Sequence, residues 1–321
     1  YGSRASNGVI LITTKKGRGG QPQITYSGSF SVQTNTRTVP VMTASELKNF
    51  YGEIYPQGTE IGDKVAELLK DSDTDWQELI FRPAVATDHA VSIYGNYKAR
   101  MPYRASLAYS FQQGTLRLAD YNRGTADLSL TPDFFDKHLT LDISAKGVMT
   151  GSDYTDSGVI GNAAFFNPTQ DPYWRNADGS VDYSTTNGYW NYGNGRGDRF
   201  SPNTLVGPSP LSRLYDNISN ARSGRFIGRV AADYKIHGFE ALRLNVSAGM
   251  DIAETDSYNG VRPGSFQAWA DTDNLGVGKY SKGRNISRSL LFESYANYSQ
   301  TWGKHSLDLL AGYSWQNNYW A

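Results

Sequence analysis

Cysteine is absent from the 321 residues. That excludes a disulfide framework, a thiolate metal site and a cysteine nucleophile. Histidine is scarce: His89, His138, His237 and His305 are the full set. They stand far apart, three of them at short turns, and do not have the spacing of a histidine metal centre. Neither sign of charge dominates, with 31 Lys+Arg against 31 Asp+Glu. The basic excess that marks a nucleic-acid partner is therefore missing. No run of about 20 apolar residues occurs, and mean hydropathy is -0.53. A helical membrane protein is thereby excluded. No pair of carboxylates and no Ser/His pair is singled out by spacing, so the sequence is not read as an enzyme and implies no cofactor.

What is abundant is glycine and aromatic residues: 33 Gly, 22 Tyr, 13 Phe and 7 Trp. Two classes share this composition. One is a transmembrane β-barrel, whose strands alternate apolar-out and polar-in and whose interfaces carry aromatic girdles. The other is a soluble, carbohydrate-binding β-sandwich. Periodicity separates them. In residues 139–149, Leu139, Leu141, Ile143, Ala145, Gly147 and Met149 alternate with Thr140, Asp142, Ser144 and Lys146. A period of 2 with one charged face predicts a strand wet on one side. The pattern recurs at 242–252, 103–112 and 24–33, and more weakly at 88–96, 122–131, 224–235, 286–300 and 306–316. About nine strands result, most near the 9–11 residues that a tilted strand needs to cross a bilayer.

The connections alternate in length. Short links fall at 96–102, 131–138, 235–241 and 301–305. Long ones are predicted at 35–86, 150–222 and 254–285, with a modest loop at 113–121. Short turns on one side and long loops on the other is the layout of outer-membrane barrels. In that orientation Tyr313, Trp315 and Trp320 fall at the outer interface, and Tyr298 and Trp302 at the periplasmic one. Such a barrel closes with an even strand number and leaves no free edge in lipid. About nine strands therefore predict a partial barrel with later strands missing. The open sheet, with two unpaired edges, is not expected to fold alone in solution. The apolar run Val9-Ile10-Leu11-Ile12-Thr13-Thr14 reads as a buried strand ahead of the barrel. It predicts the last strand of a separate N-terminal domain, and barrels of about 22 strands carry a plugged lumen.

The opening segment, YGSRASNGVILITTKKG, resembles the end of the plug domain in the SusC/RagA group of TonB-dependent transporters. Tyr1, Gly2, Arg4, Asn7, Gly8, Thr13, Lys15 and Gly17 stand in the family's order. A second segment, TDWQELIFRPAVATDHAVSIYG, adds Asp75-Trp76-Gln77, Phe81-Arg82 and Asp88-His89. The rest of the chain is similar by strand-and-loop layout. The resemblance implies an all-β, partial transmembrane antiparallel barrel, with residues 1–20 as plug end and linker and 21–321 as the first part of the barrel. It implies import of oligosaccharides or peptides across the outer membrane, with a SusD-like lipoprotein lidding the pore. The TonB–ExbB–ExbD complex would energise it through an N-terminal region that, like the signal peptide, is expected to lie outside this fragment. Siderophore or cobalamin import, and a surface binding or adhesin module, are the alternatives.

Smaller features fit this frame. The stretch Gly17-Arg18-Gly19-Gly20 lacks the Gly-Lys-Ser/Thr ending of a phosphate loop and reads as a plug–barrel link. Arg196-Gly197-Asp198 is an adhesion-like tripeptide of the kind that recurs by chance. Residues 176–179 lack the acids of a calcium loop and read as a turn in which Asp178-Gly179 supplies φ > 0. Residues 44–54 and 61–70 have helical spacing, with Ser45 and Asp63 as candidate caps. The loop 150–222 interleaves aromatics with asparagines, among them Tyr173, Trp174, Tyr189, Trp190, Asn191 and Tyr192. Flat rings stack on sugars or peptides and amides bond hydroxyls. The same residues suit contact with the lid lipoprotein, or folding of the loop on itself.

Overall fold

The computed structural model describes residues 21–321. The strand expected at 9–14, the plug-end motif and the glycine-rich link all lie outside these residues. The strands in chain order are β1 (Gln23–Gln33), β2 (Ala84–Tyr97), β3 (Met101–Gln113), β4 (Asp120–Leu130), the two-residue β5 (Asp133–Phe134), β6 (Leu139–Asp153), the two-residue β7 (Gly193–Asn194) and β8 (Ser201–Pro202), then β9 (Asn217–Lys235), β10 (Leu242–Val261), β11 (Lys279–Trp302) and β12 (His305–Trp320). The nine long ones form a single antiparallel meander, β1-β2-β3-β4-β6-β9-β10-β11-β12, with β5 beside β6. Among the described residues β1 has only β2 as neighbour, and β12 only β11. The architecture is thus an open part of a β-barrel.

Register aligns the alternation across the whole sheet. Leu107 stands opposite Val91 on β2 and Ala126 on β4. Ala248 stands opposite Val230 on β9 and Phe292 on β11. One face is therefore continuously apolar. Charges collect on the other and pair between strands: Lys146 with Asp127 at 3.4 Å, Arg243 with Asp233 at 2.7 Å, and Arg225 with Asp251. Exposed pairs of this kind contribute little each, but they fix register on a face that offers no apolar contacts.

Turn chemistry matches the short links. Lys98 and Ala99 both have positive φ (49° and 56°), the geometry that suits a tight hairpin between right-twisted strands. Gly303, at φ 61°, opens the two-residue turn between β11 and β12.

The longest strands correct one expectation. β10 runs to Val261 and β11 begins at Lys279, so only residues 262–278 form the loop predicted at 254–285. The two strands continue past the apolar band into a stretch polar on both faces, where alternation fades and the sequence reads as loop. Cross-strand ion pairs hold this extension, Arg284 with Glu254, and Lys282 with Asp256 at 3.0 Å. Likewise β2 starts at Ala84, β6 ends at Asp153 and β9 starts at Asn217, which trims the other two loops.

Six helices lie in the long loops: α1 (Ala44–Ile54), α2 (Glu60–Leu68) and α3 (Trp76–Ile80) between β1 and β2, α4 (Gly158–Phe165) and α5 (Pro210–Asp216) between β6 and β9, and α6 (Phe266–Ala270) between β10 and β11. The caps differ from those expected. Thr43, not Ser45, caps α1 in a reciprocal capping box with Glu46, and Thr59, not Asp63, caps α2. Helix α1 begins at Ala44, as read, and α2 at Glu60, one residue before the range read, so in each the cap is the threonine immediately preceding the first helical residue, whose oxygen reaches an otherwise unpartnered N–H. Asp63 instead accepts the Gly58 N–H at 2.8 Å.

Candidate functional site

A single sheet has nothing to pack against, and most of its apolar side chains remain exposed: Leu107 is 66% and Met149 75% accessible. The buried core sits beyond the sheet, in the long-loop layer. It comprises Trp76 and Ile80 of α3, Val159 and Ala163 of α4, Phe166, and Leu211 and Leu214 of α5. These three short helices, too short to be stable alone, are held by one another. Trp76 meets the Phe166 ring edge-on at 4.9 Å and donates its indole N–H to the Asn167 carbonyl at 3.0 Å.

The second family-like segment supplies the fastenings. Asp75 caps α3 by accepting the N–H groups of Gln77 and Glu78. Gln77, fully buried, donates to the Val39 carbonyl and accepts the Val39 N–H. Arg82 joins the layer to the sheet through Asp120 at 2.6 Å. His89 lies on β2, within 2.7 Å of the Tyr26 hydroxyl on β1.

The loop aromatics chosen from sequence are brought together. Tyr173, Tyr189, Trp190 and Tyr192 pack against this core. Trp174 lies 5.8 Å from Trp190, centroid to centroid, and its indole donates to Thr186. Tyr189 stacks on Tyr215 at 5.7 Å and 10°. Asn191 is buried, accepts the Ser209 N–H and donates to the Tyr189 carbonyl, so its amide serves the loop itself. Trp174, Trp190, Tyr173, Tyr189 and Tyr192 each keep part of their surface accessible. Burial pushes the Tyr189 and Tyr192 phenols up, and the Tyr192 hydroxyl accepts from the Asn167 amide. Asp216, at the end of α5, is also raised, by burial, against hydrogen bonds from Asn187 and Ser212. Residues 176–180 form the expected turn, with Gly179 at φ 86°.

Sequence reading missed the cavity beside this cluster. A half-open cavity of about 830 Å³ lies between α1, α2 and the segment 163–168, with Leu47, Tyr51, Val65, Phe166 and Tyr192 in its walls. The first three belong to helices that the sequence marked only by helical spacing. Their shared apolar face was the available signal. A larger, more open groove of about 1240 Å³ runs over Gly124, Gly147 and Gly224 on the apolar face of the sheet. Among the described residues no group of three or more His, Asp or Glu could hold a metal ion, and no helix is long and apolar enough to cross a membrane.

No model of a protein family matches the chain. Curated relatives do. The chain is 35% identical to the TonB-dependent receptor SusC of Bacteroides thetaiotaomicron over 97% of its own length and 30% of the relative's. It is 26% identical to the TonB-dependent receptor P3 of Formosa agariphila, over 98% of this chain and 29% of that protein. It thus spans about a third or less of the relatives it matches. Among solved structures, the RagAB peptide importer in its closed-closed state superposes with a TM-score of 0.74 at 20% identity, over 99% of this chain and 37% of that one. A further RagAB peptide transporter structure gives 0.72 at 21% identity. At such identity these two show the fold.

Proposed function

Since this chain belongs to the SusC/RagA-type TonB-dependent receptors, we propose that the whole protein imports oligosaccharides or peptides across the outer membrane. In this reading residues 1–20 end the plug and 21–321 begin the barrel. The apolar face of the sheet meets lipid and the charged face lines the lumen. The observation that carries it is the sorted meander: nine strands with one apolar face, short turns at one end and a folded loop layer at the other. A soluble sandwich would need a second sheet against its apolar face, and none is present among the described residues. The adhesin alternative gains nothing here, because no observation favours it.

The partners follow from the same reading. TonB–ExbB–ExbD supplies energy through the plug, and a SusD-like lipoprotein lids the loop side. Trp174 and Trp190, held at the surface of the loop cluster, contact substrate or that lid, with Tyr173, Tyr189, Tyr192 and Asn191 shaping the site around them. Uptake of labelled oligosaccharides and peptides by cells carrying the full-length receptor tests this. Uptake is expected to stop when a protonophore collapses the proton gradient, and the double variant Trp174→Ala, Trp190→Ala is expected to lower uptake or lid association. Gradient-independent uptake would refute energised import. Wild-type uptake and lid association in the double variant would refute the assignment of the tryptophans.

A further inference from the structure

The cavity between α1, α2 and the segment 163–168 is walled by polar as well as apolar residues, but most of the polar ones are already engaged. Gln77 is bonded through both amide atoms to Val39. Asn167 accepts from Thr169 and donates to the Tyr192 hydroxyl. Thr74 donates to the Gln170 carbonyl, Thr43 serves the α1 cap, and Asp75 serves the α3 cap. What faces the space is therefore mainly hydrocarbon and ring: Leu47, Val65, Phe166 and the flanks of Tyr51 and Tyr192. A sugar placed here would strand most of its hydroxyls, and unmade hydrogen bonds are costly. An apolar group strands nothing.

Charge adds a second, independent constraint. Asp73 and Asp75 both border the cavity, and neither forms an ion pair with any described Lys, Arg or His. Asp73 uses one carboxylate oxygen to accept the Ala44 N–H at 3.1 Å. Among the described residues the wall thus carries two carboxylates that are met by backbone N–H groups and by no cationic side chain. The volume of about 830 Å³ lies within the range of ligand pockets, roughly 300–1,000 Å³, and the space is concave rather than a flat interface.

We propose that this cavity receives an apolar side chain of a peptide ligand that carries positive charge beside it. The proposal rests on the import reading and narrows it from oligosaccharides or peptides to basic, apolar peptides at this position. Neighbouring Lys or Arg would complement the two carboxylates, and an acidic peptide would be repelled by them.

The full-length receptor with its partner lipoprotein, titrated calorimetrically, provides the test. The probes are a decapeptide of alternating Leu and Lys, its Leu–Glu counterpart and maltodecaose. Val65→Trp fills the cavity, and Asp73→Asn keeps an acceptor for the Ala44 N–H while removing the charge. The Leu–Lys peptide is expected to bind most tightly, to weaken about tenfold or more in Val65→Trp and about threefold in Asp73→Asn, with the Leu–Glu peptide strengthened in Asp73→Asn. Leu–Lys affinity unchanged in both variants would overturn the proposal. So would a Val65→Trp variant that loses maltodecaose, or one that loses the lipoprotein while peptide affinity stays constant. Those outcomes leave import standing. Gradient-independent uptake of all three probes by wild-type cells would instead overturn the import reading and this proposal with it.

Discussion

Trp76 shows how one residue couples the two long loops. Its ring fills the space between α3 and Phe166, its indole N–H is satisfied by Asn167, and it is 2% exposed. Truncation would open a cavity and leave the Asn167 carbonyl without its donor. A Trp→Ala change at such a site costs about 3–5 kcal/mol. Trp76→Ala in the full-length receptor is expected to raise hydrogen exchange across α3, α4 and α5 while the strands stay protected. Unchanged protection of those helices would show that Trp76 does not hold the layer. Asn191 carries the opposite lesson. Its neighbourhood of rings and amides reads in sequence as ligand chemistry, but both ends of its amide are spent on the loop backbone. Sequence gives residue type and order. It does not give which polar atoms remain free once a loop has folded, because partners such as Ser209 lie 18 positions away.

At the scale of elements, the strands were the legible part. Alternation is imposed by the two environments on either side of a sheet, and it survives wherever those environments differ. It located all nine long strands and the faces they present. It failed for the outer ends of β10 and β11, because there water lies on both sides and polar residues carry no phase. Helices α1 and α2 were legible from helical spacing while the four shorter helices were not, and the caps of α1 and α2 were missed because a threonine two or four positions earlier serves equally well in sequence. The cavity was not legible at all. Its walls come from α1, α2 and a segment about 100 residues later, and only tertiary packing brings them together. The face assignment has a direct check. Leu107 lies on the apolar face and Ser106 on the charged one. Arg at the lipid face of a barrel costs about 2–4 kcal/mol near the midplane. Leu107→Arg is expected to reduce the folded, outer-membrane population of the full-length receptor, and Ser106→Arg to leave it near wild type. Equal tolerance of both would contradict the assignment.

For the molecule as a whole, the sheet's two free edges are the deciding feature. β1 and β12 each present a row of unpaired N–H and C=O groups among the described residues. In lipid such edges are prohibitive, and in water they invite association. The chain spans 30% of the length of its SusC relative, and further strands of a longer receptor would pair both edges and close the barrel. The lumen-facing charges, the lipid-facing apolar band and the loop layer then acquire their roles together. Immunoblotting of fractionated membranes from the source cells, with and without heating, tests this most directly. The account predicts a heat-shifted band in the outer membrane, running well above the 35.5 kDa of this chain. A soluble or secreted band near 35.5 kDa would contradict it, and the loop layer would then belong to a surface binding module rather than a transporter.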